Sequence, residues 1–118
     1  MNGGMEMNAP AVLVLVRDLI FASKISGTAQ ALGVAVRMVR EPSKLAGEAG
    51  RRLVVDLNLE GAIEAAVAWK EAVGGGAEVV GFVSHVDGET IRKAREAGVD
   101  SVMARSEFVR VLERVLRD

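Results

Sequence analysis

The sequence contains no cysteine and no tyrosine, and its aromatic residues are one tryptophan and three phenylalanines. Without cysteine there is no disulfide framework, thiol catalysis or thiolate metal site, which together with the lack of a signal-peptide pattern favours a cytoplasmic protein. The 15 basic and 16 acidic residues are interspersed, so no basic stripe predicts binding to nucleic acid. The longest apolar run, AVLVLV at 11–16, is far too short to cross a membrane.

Several catalytic motifs are also missing. The chain has neither a G-x-x-x-x-G-K-[ST] nor a G-x-G-x-x-G motif, so no cradle for nucleotide phosphates is predicted. A single histidine without cysteine argues against a structural zinc site. Ser84, His85 and Asp56 do not form a plausible catalytic triad, because adjacent serine and histidine side chains seldom point at one another. We therefore expect a protein that is not an enzyme.

What the sequence does contain is an alternation of short valine-rich runs and segments with helical periodicity. The runs are nearly continuous in hydrophobicity, which is typical of strands buried on both faces of a parallel sheet. They lie at 11–16, 34–39, 52–57, 78–83 and 100–104. Helices are predicted over 18–32, 41–49, 60–73, 88–97 and 106–117, the second with room for two turns at most. Helix starts are expected at Asn58, Asp87 and Ser106, and helix ends at Gly33, Gly74–Gly76 and Gly98.

This pattern predicts an α/β fold of the (βα)5 type. We expect a three-layer, flavodoxin-like sandwich around a parallel five-stranded sheet with strand order 2-1-3-4-5. Residues 11–118 form the single domain, and the polar, glycine-bearing segment 1–10 is interpreted as a disordered leader.

Chemically distinctive residues follow the predicted strands. Ligands of open parallel sheets gather at the carboxyl ends of the strands, so these side chains should share one edge. They are Arg17 and Asp18 after the first strand, Asp56 and Asn58 after the third, Ser84 and His85 after the fourth, and Arg105 and Ser106 after the fifth. Simpler roles remain open: Asp18 starts a helix, Asp56 pairs with Arg105, and Ser84, His85 and Arg17 are ordinary loop or surface residues.

With these residues in view, the chain resembles the receiver domain of two-component response regulators from Ala11 onward. The segment 94–108, AREAGVDSVMARSEF, is similar to the family pattern A-x-x-A-G-A-D-D-Y-L-x-K-P-F. LVLVRDLI resembles the first strand of the family with its acidic pair, and LVVDLN resembles the strand that carries the phosphoacceptor. The resemblance implies that Asp56 occupies the phosphoacceptor position and that Asp18 and Asp56 would bind Mg²⁺ if metal binding is retained. Asn58 falls where a backbone carbonyl faces the metal, and Ser84 near the hydroxyl that closes on the phosphoryl group.

The departures from the family pattern lead to a second hypothesis. Arg17 stands at one of the two acids, Arg105 at the lysine, and Val102 at the aromatic switch position. We therefore interpret the chain as a divergent pseudo-receiver, in which Arg105 and Arg17 hold Asp56 without a metal and lower its pKa.

Such a module is expected to bind a protein partner or a second copy through residues 88–117. The charged residues predicted on this face are Arg92, Lys93, Glu96, Glu107, Arg110 and Arg114; a merely solvated surface is the alternative. Two other functions stay open. One is a phosphorylatable single-domain regulator that uses Mg²⁺ and a histidine kinase, and the other is a sensor of a small anion or ligand at the strand-end cluster.

Overall fold

The computed structural model describes residues 11–118 and contains five strands and four α-helices. The strands are β1 (Val12–Leu15), β2 (Val36–Val39), β3 (Arg52–Asp56), β4 (Glu78–Val83) and β5 (Ser101–Ala104). The helices are α1 (Leu19–Leu32), α2 (Ala62–Val73), α3 (Gly88–Ala97) and α4 (Arg105–Arg117). The leader predicted at 1–10 lies outside the described residues.

The strands form one sheet in the order β2-β1-β3-β4-β5, and all four pairings are parallel. This confirms the predicted fold class and strand order. Alternate residues of each central strand enter opposite hydrophobic layers: Val12 and Val14 pack with α1 and α4, whereas Leu13 and Leu15 pack with α2 and α3. Both faces of the sheet are covered, which explains why the strands read as continuous apolar runs.

The prediction of a helix over 41–49 is wrong. The segment contains a single turn of 3₁₀ helix, Pro42–Lys44, and Gly47 adopts a left-handed conformation with φ of 84°. Forming the first turn of an α-helix is costly, and this segment is too short to recover that cost by propagation. The second crossover connection is therefore a loop, and the protein is a (βα)5 fold with one helix missing.

The predicted helix boundaries are partly confirmed. Gly33 and Gly98 end α1 and α3 in the left-handed conformation, and the Asp87 side chain accepts the Glu89 N–H at the start of α3. Asn58 and Ser106 are not helix starters: α2 begins after Gly61, and α4 begins at Arg105. Among residues 11–118, no helix combines the length and the apolar character needed to span a membrane.

Candidate functional site at the carboxyl edge of the sheet

Asp56 is the last residue of β3 and is buried, with 9% of its surface exposed. One carboxylate oxygen accepts the backbone N–H of Asn58 at 3.0 Å. The Ser84 hydroxyl, from the end of β4, lies 3.3 and 3.4 Å from the two carboxylate oxygens. Burial raises the pKa of Asp56 above its usual value, although these hydrogen bonds act in the opposite direction.

Asn58 connects the loops that follow β3 and β4. Its side-chain oxygen accepts the backbone N–H of His85 at 2.8 Å and lies 3.2 Å from the Ser84 hydroxyl. Asn58 was predicted to start a helix, but the chain makes a turn here first, and the Leu59 N–H bonds to the carbonyl of Asp56. His85 therefore contributes its backbone to this hydrogen-bond network, and Ser84 contributes its hydroxyl.

Asp18 caps helix α1. One oxygen of its carboxylate accepts the N–H groups of Ile20 and Phe21, at 3.0 and 3.2 Å. The other lies 3.5 Å from a guanidinium nitrogen of Arg105. The bond from the Phe21 N–H lowers the pKa of Asp18 most strongly, with further lowering by Ile20 and Arg105. The helix-starting role that the sequence left open for Asp18 is the one the structure shows.

The pseudo-receiver hypothesis expected Arg105 to pair with Asp56. In the structure, Arg105 pairs with Asp18 instead. Its guanidinium lies over the ring of Phe21, 3.9 Å from the ring centre, and forms an ion pair with Asp18. A planar, weakly hydrated guanidinium stacks well on an aromatic ring, which a lysine ammonium cannot do in the same way. The positive charge still acts on Asp56, but burial outweighs it, so the expectation of a lowered Asp56 pKa is also wrong.

Arg17 is exposed and points its Nε towards the backbone carbonyl of Arg40, at 3.4 Å. It therefore lies on the β2 side of Asp18 and makes a different contact from Arg105. Arg17 thus contacts the backbone that follows β2, whereas Arg105 contacts Asp18 and Phe21.

The donor set at this edge does not fit Mg²⁺. The ion prefers octahedral oxygen coordination that includes one or two carboxylates. Here Asp18 is already bound to two backbone N–H groups and to Arg105, and Arg17 brings a cation where the family pattern has an acid. Within residues 11–118, no group of three or more histidine, cysteine, aspartate or glutamate side chains is placed to hold a metal ion.

Three phenylalanines below this edge were not anticipated as part of the site. Phe82 and Phe108 stack with ring centres 4.9 Å apart, and Phe21 meets them edge-on at 5.3 and 6.0 Å. The signal was present in the spacing: Phe21 and Phe108 each lie in the first turn of a helix that starts at the carboxyl edge. Within this cluster, the Phe21 ring is the one that the Arg105 guanidinium covers.

A tight contact between β3 and β4 positions the Asp56 loop. Leu57 is buried and its N–H bonds to the carbonyl of Phe82 at 2.9 Å. Its side chain lies directly over Gly81, where a Cβ atom would come within 2.6 Å of a Leu57 methyl carbon. Glycine at 81 thus leaves room for the Leu57 side chain where the chain turns after Asp56. No sequence motif predicts that position 81 must be glycine.

The charged residues predicted on the 88–117 face are exposed, but several of them pair within their own helix. Arg92 lies 3.2 Å from Glu96, and Arg110 lies 3.6 Å from Glu107. Lys93 and Glu96 also line a groove between α2 and α3. Arg114 lies near the start of β5, in a small cavity at the opposite edge of the sheet.

No family model matches the chain, and no curated protein matches it. Solved structures do match, among them a response regulator from Burkholderia pseudomallei with a phosphorylated aspartic acid, a calcium ion and citrate. It has a TM-score of 0.75 and 18% identity, and the match covers 92% of this chain and 66% of that one.

Two further structures are similar. The receiver domain of a sensor histidine kinase from Pseudomonas aeruginosa, with magnesium in its active-site cleft, has a TM-score of 0.69 and 16% identity, and the match covers 93% of this chain and 99% of that one. The beryllofluoride-activated NtrC4 receiver domain dimer also has a TM-score of 0.69 and 16% identity, with 90% of this chain and 95% of that one covered. The chain thus has the fold of response regulator receiver domains.

Proposed function

We propose that this chain is a cytoplasmic signalling module that acts by binding protein partners, and that an arginine stabilises its strand-end pocket in place of a metal ion. The observation that carries the proposal is the state of Asp18, whose two oxygens are held by the α1 backbone and by Arg105. An acid engaged in this way is a poor ligand for a divalent cation, and Arg17 supplies no replacement.

The same contacts join the starts of two helices. Asp18 caps α1, Arg105 is the first residue of α4, and Phe21 lies between them. In a phosphorylated receiver a charge change at the aspartate biases a mobile element. Here the contacts of Arg105 with Asp18 and Phe21 hold the two helix starts together, and the domain is expected to keep one conformation without phosphorylation.

The partner surface that we propose is formed by α3, β5 and α4, residues 88–117. β5 is an edge strand of the sheet and is only partly buried, and Val109 on α4 is an exposed apolar residue among charged ones. The comparison with a receiver domain dimer supports a second copy of the chain as one occupant. Mixed charges at its rim would make such an association sensitive to salt.

The test of the pocket is chemical. The protein is incubated with Mg²⁺ and acetyl phosphate, and the intact mass is measured beside Asp56→Asn and, as a matched control, Asp87→Asn at the start of α3. We expect no phosphoryl adduct on any of the three proteins. An adduct on the parent chain and the control that is absent from Asp56→Asn would overturn the pseudo-receiver proposal.

The test of the surface is hydrodynamic. Sedimentation velocity at low and high salt should show association of the parent chain that salt weakens. Arg110→Glu, on the proposed face, should reduce the association, whereas Lys24→Glu, on the exposed side of α1, should leave it unchanged. Equal effects of the two charge reversals would argue against this face.

One observation favours a second candidate function, that of a phosphorylatable regulator. Asp56 is buried at the end of β3 with the Ser84 hydroxyl within 3.4 Å, so a nucleophilic carboxylate and a donor for a phosphoryl oxygen are both in place. The adduct experiment separates the two functions directly. A histidine kinase is a proposed partner only under this second function.

A further inference from the structure

A groove lies between α2 and α3, on the face of the sheet that these two helices cover. It has a volume of about 540 Å³. Apolar side chains form its base, since Ile63 is buried and Val67 is half-buried. Ala68 of α2 and Ala97 of α3 border the groove and are exposed. Their small side chains leave room for a third helix to approach the other two.

The groove continues to the candidate site at the carboxyl edge of the sheet. A second cavity, of about 280 Å³, shares Ile63, Glu64 and Lys93 with the groove and reaches Asn58. The side-chain oxygen of Asn58 connects the loops that follow β3 and β4. An occupant of the groove can therefore extend from α3 to the loop that follows Asp56.

The charges along the α2 side of the groove are negative. Glu60, Glu64 and Glu71 are exposed there and form no ion pair within residues 11–118. On the α3 side, Glu96 is already paired within its own helix at 3.2 Å, and Lys93 is the one cation among the lining residues. Such a groove repels nucleic acid and anionic lipid and attracts lysine and arginine side chains.

The groove favours a helical occupant over an extended one. The backbone groups of α2 and α3 are bonded within their own helices, so they offer no partners to the N–H and C=O groups of an extended strand. A helix satisfies these groups internally and presents one face of side chains at a regular spacing. Glu64 and Glu71 are seven residues apart in α2, which is about two turns, or about 10 Å along the axis.

We propose that this groove binds an amphipathic helix of a protein partner, whose apolar stripe packs on Ile63 and Val67 and whose lysine or arginine side chains, about two turns apart, face Glu64 and Glu71. The surface is additional to the one formed by α3, β5 and α4. It rests on the proposed function only in treating the domain as a module that binds protein partners, and its failure would leave the pocket and the other surface standing.

A designed peptide tests the groove. It is a helix of about 16 residues, with leucine at helical spacing on one face and lysine on both flanks of that face. Its matched control carries glutamate in place of every lysine. Binding of the labelled peptides is measured by fluorescence anisotropy. We expect the lysine peptide to bind the parent chain at least about tenfold more tightly than the glutamate peptide does.

Protein variants with equal net charge locate the binding. Glu64→Lys with Glu71→Lys should weaken binding of the lysine peptide at least about tenfold, because two attractive charge pairs become repulsive. The matched control is Glu41→Lys with Glu113→Lys. Glu41 is exposed beyond the far edge of the sheet, and Glu113 is exposed on a helix of the opposite face. This control should bind the peptide nearly as tightly as the parent chain.

Three results would overturn the proposal. They are no binding of the lysine peptide to the parent chain, equal weakening in the two double variants, and loss of self-association in Glu64→Lys with Glu71→Lys, which would make a second copy the occupant. A measurement on the parent chain guards against misfolded variants. On addition of the lysine peptide, amide chemical shifts should change mainly over 58–71 and 90–97, and changes confined to other segments would equally refute the assignment.

Discussion

The contact between Gly81 and Leu57 gives a sharp prediction, because two opposing effects of one methyl group can be compared. Gly81 lies in β4 between Val55 of β3 and Val102 of β5. An added Cβ would meet three carbons of the Leu57 side chain at 2.6, 2.7 and 2.8 Å, closer than real Cβ contacts allow. The branch carbon itself is among them, so rotating one methyl group does not relieve the overlap.

The expected effect of Gly81→Ala is a net loss of stability. Removing a glycine from a strand interior favours folding by about 0.5–1 kcal/mol through the unfolded chain. Overpacking a well-packed core costs about 1–3 kcal/mol. The second effect is larger here because Leu57 is buried and tied to β4 by its own N–H, so we expect the free energy of unfolding to fall by about 1–2 kcal/mol.

Urea denaturation followed by the fluorescence of Trp69 measures this change as a lower midpoint at an unchanged slope. A double-mutant cycle identifies the cause. Leu57→Ala alone should cost about 2–5 kcal/mol, and combining it with Gly81→Ala should cost less than the sum, since the new methyl group then occupies vacated space. Additive losses, or a more stable Gly81→Ala, would refute the overlap as the reason for glycine at this position.

Three further predictions concern other residues. Gly27→Ala, in the exposed middle of α1 where a Cβ meets nothing within 4 Å, should stabilise the fold by about 1 kcal/mol in the same assay; a loss would contradict the open geometry. Asp56→Asn should stabilise the protein near neutral pH, because burial raises the pKa of the folded-state carboxyl above 3.8 and its ionised form opposes folding. This gain in the free energy of unfolding should shrink as the pH falls from that raised pKa to below 3.8, which denaturation curves across the range measure. A gain that does not depend on pH would contradict a raised pKa for Asp56. Finally, the double variant Arg17→Asp with Arg105→Lys releases Asp18 from the guanidinium and adds an acid beside it. This variant should acquire a phosphoryl adduct from acetyl phosphate and Mg²⁺, and EDTA should abolish the adduct. The absence of an adduct would show that the two arginines do not prevent metal binding.

The strand-end site illustrates which parts of the arrangement a sequence can predict. Asp56 and Ser84 were expected to meet because each follows a strand that hydrophobicity identifies, and parallel strands end at one edge. The partner of Arg105 could not be predicted in this way. Asp18 and Asp56 both lie within reach of a long side chain at that edge, and the choice between them depends on the ring of Phe21, which only packing brings under the guanidinium.

The pKa of Asp56 depends on tertiary structure for the same reason. A nearby arginine predicts a lowered value, whereas desolvation predicts a raised one, and their balance depends on burial and distance. The structure gives a buried carboxylate whose nearest partners are the Asn58 N–H and the Ser84 hydroxyl, with Arg105 on Asp18.

The sequence by itself determined the five strands, their parallel order and the edge at which the polar residues meet, because hydrophobic periodicity and helix-ending glycines are local signals that the sheet geometry then combines. Only the tertiary structure decided that the 41–49 segment lacks its helix, that Leu57 requires Gly81, and that Asp18 rather than Asp56 holds Arg105. Each of these depends on side chains distant in the chain competing for the same space or charge. Packing in three dimensions decides which of these contacts form, and the pattern of residues along the chain does not predict them.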